Sequence, residues 1–380
     1  MNHADLVIET HLLLNLVAQQ TTAMADNIMT IDVAEYTDAA RFETERTALF
    51  RNYPQFVGPS CLLPRGGDYF AFDDTGIPIL VVRNQEGVLK AFVNACSHRG
   101  APLHESACGQ ARRGRMLTCP YHGWSYDLDG RLLGIPSQDA FAGVDRETLG
   151  LRELQVEEKH GFMFVMPNPE LRFDIDEVLG GIESRLAEAG LSDHHHLGTK
   201  KVDTAFNWKL NMDTFQEFYH FESLHPETIG QMAYSNLGTF HQYGRNHAMG
   251  SATLNISELN AIPEAQWEPR KYTSFVNYIF PNTVIFMVED HFQTWRVYPV
   301  SHDQSVVYHS MYLPQAPTSD AELVEREQYF QLINDVAVTE DYTLVDKIHR
   351  GLNSGLPRKV IIGRNEPGVQ NMHRQIASLT

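Results

Sequence analysis

Between residues 68 and 167, apolar and polar positions alternate in short runs. Tyr69-Phe70-Ala71-Phe72, residues 77–83 and residues 88–94 are separated by Asp73-Asp74-Thr75-Gly76 and Gln85-Glu86-Gly87. Runs this short, bounded by turn formers, predict the strands of a small antiparallel β domain. Asp129-Gly130, inside residues 125–132, predicts a further hairpin, and Gly161-Phe162-Met163-Phe164-Val165-Met166 reads as a buried closing strand. Past Pro167 the pattern changes. Helical periodicity over 176–189 and 211–223 flanks strand-like material, and strong strands are predicted at 283–289 and 292–300, with 306–313 pairing with the second. Residues 320–351 form a charged, amphipathic helical pattern that weakens over 334–340. Strands followed by a closing helix predict an α+β domain. No internal repeat or low-complexity run is visible.

Composition adds size and charge to this picture. With 380 residues, 43% of them hydrophobic, the chain is long enough for two ordinary cores. Thirty basic against 48 acidic residues leave a net charge of −18, a field that repels nucleic acid and anionic membrane surfaces. The same field attracts a basic electron donor or serves solubility alone; both readings stand. Four cysteines suggest no disulfide framework and fit a reducing cytoplasm. The apolar stretch His11-Leu12-Leu13-Leu14-Asn15-Leu16-Val17-Ala18 is too short to span a bilayer and follows an acidic segment, so neither anchor nor signal peptide is expected. Met24 and Met29 are alternative starts, which would make the first two dozen residues a disordered or artefactual extension.

Cys96-Ser97-His98 and Cys119-Pro120-Tyr121-His122 are C-x-H and C-x-x-H pairs, each at the end of a β-like run. Two thiolates and two imidazoles also suit zinc. A Rieske 2Fe-2S centre asks for one Cys and one His from each loop, with glycines nearby to let backbone amides approach the sulfurs. Both pairs are mixed in this way, and Gly100 and Gly123 follow. Cys96-Ser97-His98-Arg99-Gly100 with Cys119-Pro120-Tyr121-His122-Gly123-Trp124 closely resembles the oxygenase-type Rieske fingerprint. The respiratory type carries an extra cysteine in each loop, where this chain has Ala101 and Tyr121. Cys108, between the pairs, reads as a packing thiol.

Further on, Asn207-Trp208-Lys209 leads to Glu217, His220 and His225-Pro226. On a helix Glu217 and His220 share a face, whereas five residues from His220 to His225 overshoot alignment by roughly 140°. Pro226 disfavours helical geometry at His225, so a break there would let the second ring swing inward. From spacing alone, the two histidines are a candidate metal pair or unrelated.

Asn207-Trp208-Lys209, Glu217-x-Tyr219-His220 and His225 are similar to the catalytic signature of Rieske non-haem iron oxygenase α subunits, and the resemblance covers about residues 36–354. It implies an α+β chain: an N-terminal antiparallel β Rieske domain (51–167) and a C-terminal helix-grip (START-like) catalytic domain with an antiparallel sheet (168–380). Residues 1–35 would be an extension, and 36–50 a helical segment packing with the catalytic domain. The resemblance implies one 2Fe-2S cluster on Cys96, His98, Cys119 and His122, and one Fe(II) on His220, His225 and a later carboxylate. Asp341 fits the family offset before Gly351-Leu352; Asp335, Glu340 and Asp346 read as solvated helix charges or caps, and His349 stands where a Gln is usual. Glu217 occupies the position of an acidic residue that bridges the catalytic His220 to the cluster's His122 in an adjacent chain of a homotrimer. Its other reading is a carboxylate that only orients His220.

His194-His195-His196 reads as a solvated loop, since adjacent residues on regular backbone do not face one ion. Tyr234, Phe240, Tyr243, Phe275, Tyr278, Phe280, Phe286 and Phe292 are candidates for a cavity wall, most of them core. No G-x-G-x-x-G follows a predicted strand, so electrons are expected from a separate reductase or ferredoxin. The reading is a cytoplasmic terminal oxygenase that uses two electrons and O2 to hydroxylate a small organic substrate. Monohydroxylation or oxidative dealkylation is preferred over cis-dihydroxylation, because the chain looks like members that work without a small β subunit. The alternative from another class is a Rieske electron carrier whose second domain binds a hydrophobic ligand without catalysis.

Overall fold

The computed structural model describes residues 1–104, 108–187, 190–356 and 358–380. It divides into two compact units, one formed by Met1–Glu45, Leu179–Gly190 and His194–Thr380, the other by Arg46–Val178 and Leu191–Asp193.

The second unit is built on three antiparallel sheets. The largest has the strand order Glu153–Leu154, Leu89–Val93, Ile79–Arg83, Asp68–Phe72 and Gly109–Gln110. Its central strand explains the unbroken apolar run Ile79-Leu80-Val81-Val82. Successive side chains point to opposite faces, so Ile79 and Val81 enter one core cluster and Leu80 and Val82 another. The second cluster also contains Cys96, Cys119, Trp124 and Tyr126, which ties the two metal-type loops to packed residues.

The first unit carries a seven-stranded antiparallel sheet in the order His195–Thr204, Gln304–Leu313, Phe292–Ser301, Thr283–Met287, Thr273–Ile279, Asn246–Ala252 and Thr239–Tyr243. A long helix, Asp320–Val336, passes through a π-helical turn, Ala337–Tyr342, into Thr343–Leu352. Phe330 from this helix packs with Met311 and Leu313 of the sheet.

Several sequence expectations change here. The first two dozen residues are not a disordered extension: His3–Gln19 is a helix capped by the Asn2 side chain. Its Leu13 is fully buried among Leu237, Ala252, Ile256, Leu259 and Trp267. Met29–Asp32 then pairs with Lys359–Ile362. Burial of Leu6, Glu9, Thr10 and Leu13, with Glu9 paired to Arg185, holds this segment to the first unit, rather than leaving it apart over 1–35. The division between units falls at 45/46 and near 178, not at 50 and 167. The helix expected over 176–189 is two short helices, Ile175–Leu179 and Glu183–Leu186, parted by Gly180 and Gly181 at φ +61° and +97°. Its last two positions lie outside the described residues. The histidine tract is no loop: His195 opens a strand that pairs with Gln304–Leu313.

Candidate metal centres and active site

In the β unit, the two loops share one construction. The Cys96 N–H donates to the Ala101 carbonyl and the Gly100 N–H to the Cys96 carbonyl, both at 2.8 Å. Cys119 and Gly123 repeat the pattern with Trp124, at 2.8 and 3.0 Å. Both glycines sit at φ +74°, a conformation that a side chain disfavours. Cys96 and Cys119 are buried, and the Nδ1 atoms of His98 and His122 lie 3.1 Å apart. The Tyr126 hydroxyl lies 3.2 Å from the Cys96 sulfur and accepts the Ser97 N–H, while Trp124 stacks on the His98 ring at 5.0 Å. Two buried thiols and two neighbouring imidazole nitrogens, one of each from each loop, are the donor set of a Rieske cluster, in which the sulfurs hold one iron and the nitrogens the other.

In the other unit, the side chains of His220, His225 and Asp341 converge, with candidate ligand atoms all within 4.8 Å of one another. Asp341 Oδ1 lies 3.5 Å from His220 Nε2 and 3.3 Å from His225 Nε2. The path to this arrangement is not the single helix expected over 211–223. Asn207 caps a short helix, Trp208–Asp213, by accepting the Lys209 N–H. The chain then turns through residues 214–220 before a second short helix, Phe221–Leu224, and His225 leaves helical geometry at φ −114° and ψ 40°. Pro226 follows, as the sequence argument required. Glu217 and His220 therefore share a turn rather than a helical face. One Glu217 carboxylate oxygen accepts the Tyr219 and His220 N–H groups, and the other faces His220 Nδ1 at 2.5 Å.

Glu340 does for His225 what Glu217 does for His220. Its carboxylate lies 2.5 Å from His225 Nδ1 and accepts the Thr228 hydroxyl at 3.0 Å. Burial depresses the His225 pKa, but Asp341 and then Glu340 outweigh it, and the net displacement is upward. With each Nδ1 held by a carboxylate, each Nε2 is left to face the third donor. Two imidazoles and one carboxylate on one side suit a facial site for Fe(II). The adjacent residues Glu340 and Asp341 both reach this cluster because they sit in the π-helical turn; such turns recur at functional sites. The other acidic candidates are engaged elsewhere, Asp335 accepting from Gln331 and Asp346 paired with Arg350. The sequence presents Glu340 as a solvated helix charge or cap, and nothing local to it marks it otherwise. Replacing Glu340 by alanine is expected to weaken iron retention about 10- to 100-fold in a chelator competition. Unchanged retention would reduce Glu340 to a surface acid.

Beside the three donors lies a cavity of about 140 Å³. Phe215, Phe218, Phe221, Phe286 and Trp295 supply most of its aromatic wall, with Ser251 and Ser274 on the sheet. Of the eight aromatics singled out in the sequence, Phe286 alone is among these lining residues; the turn after Asp213 contributes most of the rest.

The family described as "Ring hydroxylating alpha subunit (catalytic domain)" matches residues 191–380, half of the chain, and the Rieske [2Fe-2S] domain matches residues 54–153. Together these make the chain an oxidoreductase of the Rieske oxygenase class, with a 2Fe-2S cluster and Fe(II) as cofactors and a separate reductase as electron source. It belongs to the ring-hydroxylating α-subunit family. Among its relatives, the carnitine monooxygenase oxygenase subunit of Acinetobacter baumannii is 27% identical over 84% of either chain. The glycine betaine monooxygenase oxygenase subunit of Chromohalobacter salexigens is 34% identical over 52% of this chain and 43% of its own. The fold matches the crystal structure of a quaternary ammonium Rieske monooxygenase in complex with L-carnitine, with a TM-score of 0.78 and 23% identity over 92% of this chain and 96% of that one. Among the described residues, no helix is long and apolar enough to cross a membrane.

Proposed function

We propose that this terminal oxygenase inserts one oxygen atom into a C–H bond of a small organic substrate, with oxidative dealkylation where that bond belongs to an N- or O-methyl group. The observation that carries the reading is the joining of His220, His225 and Asp341 to one predominantly apolar cavity. Two relatives whose names are monooxygenases favour this over cis-dihydroxylation. Per turnover, a C–H bond, O2, two electrons and two protons become C–OH and water.

In this reading Cys96, Cys119, His98 and His122 hold the cluster, and His220, His225 and Asp341 hold the iron. Once bound, the cluster supplies electrons singly and the iron supplies the place where dioxygen is reduced. Glu217 and Glu340 keep the two imidazoles in one tautomer and orientation, and the aromatic wall positions the substrate and keeps water out.

The electron path runs between chains of a homotrimer, from His122 of the partner subunit to Glu217 and His220. Two features support it. The His122 ring is exposed, under Tyr121 at 60% exposure. In the catalytic unit, a hollow of about 250 Å³ touches Glu217 and His220 and is rimmed by the exposed Leu344, Ile348 and Ile361. An exposed apolar rim around a partly exposed carboxylate suits a docked protein surface. A cytoplasmic location completes the reading, in keeping with four cysteines that form no disulfide among the described residues.

The test uses mixed oligomers. Chains carrying Cys96→Ala and chains carrying Asp341→Ala, each inactive alone, are expected to regain product formation when co-expressed and assembled together. An intact cluster then serves the intact iron of a neighbour. No recovery in confirmed mixed assemblies would exclude the inter-chain path. A separate expectation concerns Glu217→Gln, which should keep iron and cluster while product formation falls by about 10² or more, because the bridging carboxylate is lost.

A further inference from the structure

The cavity beside the iron donors differs chemically from what a carnitine- or betaine-like zwitterion requires. Among its described lining residues there is neither lysine nor arginine. The two carboxylates that line it, Glu217 and Asp341, are both at the metal end and are engaged with His220 and His225. A carboxylate received by this wall rather than by the metal would lose its hydration with no lysine or arginine among the described lining residues to pair with it. A trimethylammonium group could rest on aromatic faces, but it has neither an N–H nor a lone pair with which to meet a hydroxyl on the sheet wall.

The sheet end is polar in a different way. Ser251 and Ser274 are direct register partners on adjacent strands, and their hydroxyl oxygens lie 2.7 Å apart. Two hydroxyls bring two protons, of which the mutual bond uses one, so the pair keeps one O–H to donate and lone pairs to accept. The neighbouring polar groups are committed. Thr214 donates its hydroxyl to the Asn211 carbonyl at 2.8 Å. Gln293 is clamped at both ends of its amide, by His291 and by His309, each at 2.8 Å. Burial pulls His309 down to about 3, so its ring is neutral and brings no cation to the wall. A part-buried hydroxyl pair with spare capacity, on the sheet wall of the aromatic cavity that the metal donors also line, is a receptor for one neutral polar group.

Resting on the oxygenase reading above, we infer that the substrate is an uncharged, largely apolar molecule whose hydroxyl or carbonyl group is received by the Ser251–Ser274 pair. The pair holds one end of the molecule while the C–H to be oxidised is presented at the His220–His225–Asp341 end. The inference separates this chain from the quaternary ammonium chemistry of the relatives named above, although the fold is shared.

The experiment is calorimetric binding to the iron-loaded, fully assembled protein under anaerobic conditions, with 4-ethylphenol, ethylbenzene, choline and L-carnitine as probes. 4-Ethylphenol is expected to bind more tightly than ethylbenzene, and neither choline nor carnitine should displace it at millimolar concentration. Ser251→Ala/Ser274→Ala is expected to weaken 4-ethylphenol roughly 3- to 10-fold, the effect of one neutral hydrogen bond, and to leave ethylbenzene unchanged. Should the double variant fail to assemble, Ser274→Ala alone makes the same comparison. Displacement by carnitine or choline, or equal effects of the substitution on both aromatic probes, overturns the inference. Oxygen uptake with a surrogate reductase is followed on the same samples. Binding of 4-ethylphenol without coupled uptake for any neutral probe would count against the oxygenase reading and not the substrate class. Coupled conversion of carnitine would do the reverse.

Discussion

Replacing Asp341 by alanine is expected to abolish turnover and to lower the iron content from about three per chain to about two, with the visible absorption of the cluster unchanged. The carboxylate oxygen of Asp341 is the group that lies within 3.5 Å of both imidazole Nε2 atoms. Without it, the two histidines face a cavity whose other lining carboxylate, Glu217, is engaged with His220 Nδ1. The nearest substitute, Glu340, is already held by His225 Nδ1 and the Thr228 hydroxyl, and reaching inward would cost both contacts. The β unit supplies the cluster donors from residues far from 341, so the cluster signal serves as an internal control for folding. A variant that retains all three irons and its activity would sink the assignment of Asp341.

Lys209→Ala is expected to cost about 3–5 kcal/mol of stability, a large share of the 5–15 kcal/mol typical of a folded protein. The side chains of Lys209 and Glu45 are 1% and 0% exposed and form an ion pair that the Trp208 indole N–H joins at 3.1 Å. Burial depresses the Lys209 pKa, with Glu45 opposing it. Removing the ammonium strands a carboxylate in the core, and that, rather than the loss of attraction, sets the size of the effect. The helix Trp208–Asp213 that carries Lys209 leads directly into the turn bearing Glu217 and His220, so iron retention should fall with stability. The discriminating control is Glu45→Leu/Lys209→Met, which removes both charges and should recover most of the lost denaturant midpoint. If the single variant unfolds at the parental midpoint, the pair is not the clamp described.

The Asn207-Trp208-Lys209 motif thereby gains a physical meaning that its letters did not carry. Asn207 caps the helix and also donates to the His302 carbonyl at 2.9 Å, while Trp208 and Lys209 anchor it to Glu45, 164 residues away along the chain. Sequence reading reached the motif and could not reach the anchor. The same separation hid the aromatic wall. Phe215, Phe218 and Phe221 lie in what periodicity presents as a helix, and the competing hydrogen bonds of the Glu217 carboxylate to the Tyr219 and His220 N–H groups end that helix early. Similarly, the apolar stretch of the N-terminal segment does not by itself show what it packs against. It is held because Leu13 enters a cluster formed by residues beyond 236.

By itself, the sequence determined the chemistry available and the local turns that present it. Mixed Cys and His pairs with a glycine four residues after each cysteine specify two matching loops, because backbone conformation there depends on residues adjacent in the chain. Pro226 broke the helix at His225 for the same local reason. Only the tertiary structure decided which of Asp335, Glu340, Asp341 and Asp346 faces the histidines, which carboxylate holds which ring, and what lines the cavity. Those choices depend on the rotation of a helix against a sheet and on a π-helical turn within it, set by packing of Phe330 on Met311 and Leu313 and by other contacts between residues far apart in the chain. Side-chain type and spacing are written locally. Direction in space is settled by burial across the whole fold.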